Sequence, residues 1–70
     1  MNFLHIEVDN ILKNINRLFD ETNLNSAEIM SKYKIDFNII HYIRMGGGAI
    51  FDLQTLQIVE RKLLDIKTNV

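Results

Sequence analysis

An all-α fold, a small bundle of four or five helices, is what this sequence predicts, and three observations carry the prediction. Apolar residues recur at spacings of three and four along most of the chain, the period of a helix with one buried face. The 70 residues include no proline to interrupt such a pattern. Asn25, Asp36 and Asp52, all residue types that cap helices, each stand just ahead of a periodic stretch. With 47% apolar residues the chain is rich enough to bury a core, yet at this length it is one domain near the lower limit of self-sufficiency. No cysteine is present, so neither a disulfide nor a thiolate-bound metal reinforces it.

The elements follow in order. Residues 11–21 read as a helix, with Ile11, Ile15 and Leu18 on one face and Lys13, Asn14, Asn16 and Arg17 on the other; Asp9 is a candidate cap. Upstream, Leu4 and Val8 continue a 4-3-4-3 rhythm that extends the helix back to Asn2. Residues 4–9 also alternate strictly, as a half-buried strand does. Helix is preferred because nothing breaks it and a lone strand would lack a partner, so residues 1–10 form an N-terminal extension of open conformation. After a polar connection, Asn25 and Glu28 form a capping-box pattern for a helix over 26–33, on which Ile29, Met30 and Tyr33 fall at helical spacing.

Ile35 marks a turn, and Asp36 caps a further helix over 37–45 whose inward face is Ile39, Ile40 and Ile43. Gly46 supplies its stop. Helices this short and this close cannot lie antiparallel; they must cross steeply, as in a helix-turn-helix spanning about 25–45. Gly46-Gly47-Gly48-Ala49 reads as a flexible loop, since it lacks the lysine-serine ending and the preceding strand of a phosphate-binding loop. Asp52 then caps a last helix to about Asp65, with Leu53, Leu56, Val59 and Leu63 as its buried stripe.

Net charge is −1, which excludes non-specific binding to polyanions through bulk charge. The distribution is uneven. Residues 1–30 hold Glu7, Asp9, Asp20, Glu21 and Glu28 against Lys13 and Arg17, whereas 31–48 hold Lys32, Lys34 and Arg44 against Asp36. The local basic excess coincides with the helix pair. No apolar run approaches a membrane span and the N-terminus lacks a signal-peptide pattern, so the expectation is a cytoplasmic protein with no membrane partner.

Taken together these pieces resemble the DNA-binding domain of the lambdoid phage repressors and Cro proteins, the Xre-type helix-turn-helix family. Leu24, Asn25 and Glu28-Ile29-Met30 match the family's apolar residue, polar cap and Glu-Leu-Ala sequence. Ile35 and Asp36 match its turn hydrophobe and second cap, Ile40 its anchoring isoleucine, Gly46 its helix stop, and Asp52-Leu53-Gln54-Thr55-Leu56 its Ser-Leu-x-Thr-Leu. The register holds from about Ile11 to Gly46 and on through Leu63. Four departures stand out: Lys34 replaces a turn glycine, Met30 an alanine, Arg44 a glutamate, and Phe37 an early base-reading polar residue. Lys34 must therefore adopt a left-handed conformation at about 1 kcal/mol, or avoid it.

The resemblance implies a lambda-repressor-like fold and a DNA-binding transcriptional regulator, repressor-like. Heavy use of isoleucine, asparagine and lysine suggests an AT-rich source, a low-GC bacterium, its phages or its plasmids, and with the resemblance a phage or mobile element is expected. Once Ile39, Ile40 and Ile43 turn inward, the recognition helix presents Phe37, Asn38, His41, Tyr42 and Arg44. Asn38 suits adenine, Arg44 guanine or phosphate, Phe37 a thymine methyl, and Tyr42 stacking or a phosphate. Ser26, Lys32, Lys34 and the N-terminus of the preceding helix suit phosphates. The expected partner is double-stranded DNA at a pseudo-palindromic operator, bound by a homodimer. Ile58, Leu64 and Ile66, with Phe3, Leu4, Ile6 and Val70, are the candidate dimer interface, the alternative being closure of the N-terminal segment over the last helix.

No catalytic constellation is visible, so no enzyme is expected. His41 has only His5 as a histidine partner, so no metal or other cofactor is expected either. The alternative function is an interaction protein on the same scaffold, an anti-repressor, antitoxin or anti-CRISPR type that binds a host or phage protein. Phe37, Ile39 and Tyr42 favour it; the motif register and local basicity favour DNA.

Overall fold

A computed structural model of the chain describes the backbone of residues 3–68 and the side chains of residues 5–65. Its helices are α1 (Phe3–Thr22), α2 (Ser26–Tyr33), α3 (Phe37–Arg44) and α4 (Leu53–Thr68), with a 3-10 turn at Gly48–Ile50. Among the described residues there is no strand, and the all-α expectation holds.

The alternation over residues 4–9 yields to the helical rhythm, and α1 begins at Phe3. Ile6, off the buried stripe, stands in solvent as a result. Asp9 does not cap a helix. It lies inside α1, one turn from His5, with 3.6 Å between their nearest polar atoms. The helix ends where Thr22 Oγ1 donates back to the Phe19 carbonyl (2.7 Å) and accepts from the Leu24 amide (3.1 Å). Asn23, which tolerates the left-handed region better than most residues, takes φ 59° there.

Local chemistry sets the remaining boundaries. Asn25 Oδ1 accepts from the Glu28 amide at 2.8 Å and Glu28 Oε1 accepts from the Asn25 amide at 3.1 Å, a complete capping box. Lys34 ends α2 at φ 59°, ψ 45°, the left-handed conformation its position demanded. Asp36 Oδ1 caps α3 through the Asn38 amide at 2.8 Å. Gly46, at φ +89°, closes α3: its amide reaches the Ile43 carbonyl (3.2 Å) and the Gly47 amide reaches the Tyr42 carbonyl (2.7 Å), a Schellman ending. Asp52 Oδ1 accepts from the Thr55 amide at 3.0 Å and starts α4.

The core collects Ile15, Phe19, Ile29, Ile40, Ile43 and Leu56, all sealed from solvent, ringed by Ile11, Leu18, Tyr33, Ile35, Val59 and Leu63. Two expectations are corrected. Met30 is exposed, because α2 turns the Ile29–Tyr33 side to the core and Met30 sits about 100° around the helix from Ile29. Ile39 is half-buried at the core's edge, not part of its interior. Along α1 and α4 the partners rise together: Glu7, Asn10 and Ile11 face Leu53 and Gln57, while Asn14 Nδ2 donates to Glu60 Oε2 at 2.6 Å. The two helices therefore run in the same direction.

The glycine run is less flexible than its composition suggests. Gly48 is buried, and a Cβ there would lie 2.6 Å from Leu12 Cδ2 and 2.9 Å from Ile43 Cγ1. A Cβ at Gly47 would meet only ordinary contacts at 3.5 Å. Gly48→Ala is expected to cost about 1–3 kcal/mol in urea denaturation through overpacking. Gly47→Ala should change stability by less than about 1 kcal/mol.

Asp52 adds a pH dependence. Hydrogen bonds from the Thr55 side chain, and then the Thr55 amide, hold its carboxyl below the usual aspartate range. A lowered folded-state pKa stabilises the fold above the unfolded value and loses that contribution as pH falls through the folded one. Below about pH 4, where unfolded aspartates begin to protonate, wild type should lose melting temperature more steeply than Asp52→Asn, whose cap does not titrate.

Candidate functional site

The burial of Ile40 and Ile43 decides which side of α3 faces solvent. Phe37, Asn38, His41 and Tyr42 emerge on the open side, as expected from the spacing. The rings there are in contact. Phe37 and His41, one turn apart, stack with centroids at 6.1 Å and planes 10° apart. Tyr42 meets His41 edge-on at 6.2 Å and Phe51 edge-on at 6.1 Å, which ties the helix face to the segment after the 3-10 turn. Met45, at the end of α3, and Ile50, next to Phe51 in the chain, are the most exposed large apolar side chains among the described residues, at 72% and 70%. Asn38 is different: among the described residues its side-chain amide has no hydrogen-bond partner.

Arg44 is exposed at the edge of this face, and its side chain is engaged. Its guanidinium lies 3.7 Å from Asp20 and 5.7 Å from the centre of the Phe19 ring, and only 30% of the side chain remains accessible. Through these contacts Arg44 also links the end of α3 to the end of α1. Lys32 and Lys34 are exposed at the C-terminal end of α2, Lys32 Nζ lying 5.6 Å from the Tyr33 ring. Ser26 is half-buried in the first turn of α2.

Three side chains that hold this arrangement escaped the periodicity. Lys62 Nζ donates to the Lys34 carbonyl at 2.6 Å, so α4 secures the turn between α2 and α3. Asn16 Nδ2 donates to the Ile43 carbonyl at 3.3 Å and secures the end of α3. Phe19, adjacent to the expected Leu18, is fully buried beneath Arg44. Each contact joins residues far apart in sequence, and no local spacing announces it.

Of the candidate dimer residues, Ile58, Leu64 and Ile6 have described side chains. Ile58 and Leu64 are exposed, but six positions apart on α4 they lie about 120° from one another around the helix, with Arg61 between them. Ile6 is exposed near the start of α1, at the end of the α1–α4 pair away from Leu64. Ile66, Phe3, Leu4 and Val70 lie outside the described side chains.

A cleft of about 390 Å³ runs between α1 and α4, and one of about 200 Å³ lies beside Leu12, Asn16 and the glycine turn. No serine, threonine or histidine lines either. Among the described residues no group of three or more His, Asp or Glu is placed to hold a metal ion, and no helix is long and apolar enough to cross a membrane. No protein-family model matches the chain, and neither a curated protein nor a solved structure matches it.

Because Arg44 covers an aromatic ring with its stem and guanidinium, Arg44→Ala should lower unfolding stability by about 1 kcal/mol. Asp20 is 80% exposed, so Asp20→Ala should cost well under that. Equal effects in urea denaturation would show that the ion pair, not the ring contact, is what Arg44 supplies.

Proposed function

We propose that this chain is a sequence-specific DNA-binding regulator of the helix-turn-helix, lambda-repressor-like type, with α3 as its recognition helix. The observation that carries the reading is the open face of α3. Two eight-residue helices joined over residues 34–36 hold an unpartnered amide, Asn38, among stacked rings. An amide with both a donor and an acceptor to offer is what a base edge in the major groove recognises. Lys32, Lys34 and Ser26 on α2 supply the phosphate contacts that position such a helix. A repressor of this type acts as a homodimer on a pseudo-palindromic operator, half-sites about one helical turn apart.

A second reading has an observation of its own. Phe37 and Tyr42 on α3, Met45 at its end and Ile50 beyond it are exposed apolar side chains, and the charge of Arg44 is faced by Asp20. Such a surface suits a host or phage protein, and the chain would then be an inhibitor or antitoxin on the same scaffold.

Salt separates the two. With Lys32 and Lys34 as the cations at the α2–α3 face, log affinity for duplex DNA should fall with log salt at a slope of about −2 per subunit. A Lys32→Gln, Lys34→Gln variant should flatten that slope toward zero. Electrophoretic mobility shift and footprinting on DNA from the source genome, from low to physiological salt, measure both. If no site is protected at the lowest salt, the DNA reading falls and the apolar surface is the functional one.

A further inference from the structure

Resting on the DNA reading, we infer that the bases contacted by α3 are A·T pairs, with Asn38 on an adenine and Phe37 on the methyl of a neighbouring thymine. Guanine is read in the major groove by two parallel donors, the fork of an arginine or the ammonium of a lysine, directed at O6 and N7. Between Phe37 and Arg44 the single such side chain is Arg44, and its guanidinium is engaged by Asp20 at 3.7 Å and by the Phe19 ring at 5.7 Å, about 120° around the helix from Asn38. His41 does not replace it. A neutral imidazole carries one donor and one acceptor on different edges of the ring, and this ring is stacked on Phe37.

What remains on the face matches the other base pair. The Asn38 side-chain amide, with no hydrogen-bond partner among the described residues, offers an acceptor to adenine N6–H₂ and a donor to adenine N7 at once. Phe37 precedes it in the first turn, exposed on one face of its ring and backed by His41 on the other. An apolar ring so placed gains by covering a methyl group, and in the major groove only thymine carries one. Lys32 and Lys34 add attraction without sequence preference, because they meet phosphates.

The test is a selection of the full chain on a random duplex library in low salt, followed by base analogues in the enriched duplex. Enriched sequences should carry an A·T core in each half-site. Replacing its thymines by uracil removes only the methyl and should weaken binding several-fold; replacing the contacted adenine by 7-deazaadenine should weaken it about tenfold or more. Both analogue measurements use the wild-type protein, so they stand whether or not a variant folds. Asn38→Ala should erase the 7-deazaadenine effect, Phe37→Ala the uracil effect, and Arg44→Gln neither. A G·C core, or a base preference that disappears with Arg44→Gln in a variant that stays helical by circular dichroism, overturns the assignment while leaving DNA binding intact. Retention of no duplex at all overturns both.

Discussion

The open side of α3 is only as well defined as the burial of its other side, and that burial converges on Ile43. The side chain of Ile43 is sealed in the core, its carbonyl accepts from Asn16, and its flank lies so close to Gly48 that no Cβ fits between them. The next residue, Arg44, lies over Phe19. A helix of eight residues does not persist in water by its own propensity, because nucleation costs more than so few hydrogen bonds return. The order of α3 comes from outside it. The directions of Phe37, Asn38, His41 and Tyr42 are set by contacts on the opposite face.

That division explains what could be read from the chain and what could not. The capping box at Asn25, the caps at Asp36 and Asp52, the left-handed positions of Lys34 and Gly46, and the inward stripe of α4 are all local. Their partners lie within a turn or two, so spacing contains them. Phe19 was missed because a stripe of Ile11, Ile15 and Leu18 already satisfied the period; the packing of both α1 neighbours, Leu18 and Phe19, shows that α1 is covered on more than one side. The contacts of Arg44 are invisible to spacing for a related reason. An arginine on the outer half of a helix looks free until Asp20 and Phe19 are brought beside it by the fold. Asn16 and Lys62 belong to the same class, polar residues whose partners are carbonyls on other helices.

The electrostatics follow. The sequence shows a basic excess over residues 31–48, but part of it is engaged internally, since Arg44 faces Asp20; on α1, Arg17 is paired with Glu21 at 2.6 Å. Lys62 is drawn to the Lys34 carbonyl, where a cation near a helix C-terminus is favourable but is no longer available to a distant anion. Lys32 and Lys34 are left as the cations of the α2–α3 face. Long-range steering of a polyanion by this surface is weak, so whatever specificity α3 has must come from short-range contacts that form only when the two surfaces fit.

That consequence bears on the choice between a nucleic-acid and a protein partner. Covering Phe37, Tyr42 and Met45 with an apolar protein surface would also cover Asn38, and an amide buried without hydrogen bonds costs a few kcal/mol, enough to cancel much of the gain from the rings. A protein partner must therefore supply a donor and an acceptor at that point. The major-groove edge of adenine supplies both, with the thymine methyl beside it as an apolar neighbour for Phe37. Asn38 thus constrains a partner more than the rings do: aromatic surface is compatible with many partners, whereas a side-chain amide in its midst is compatible with few.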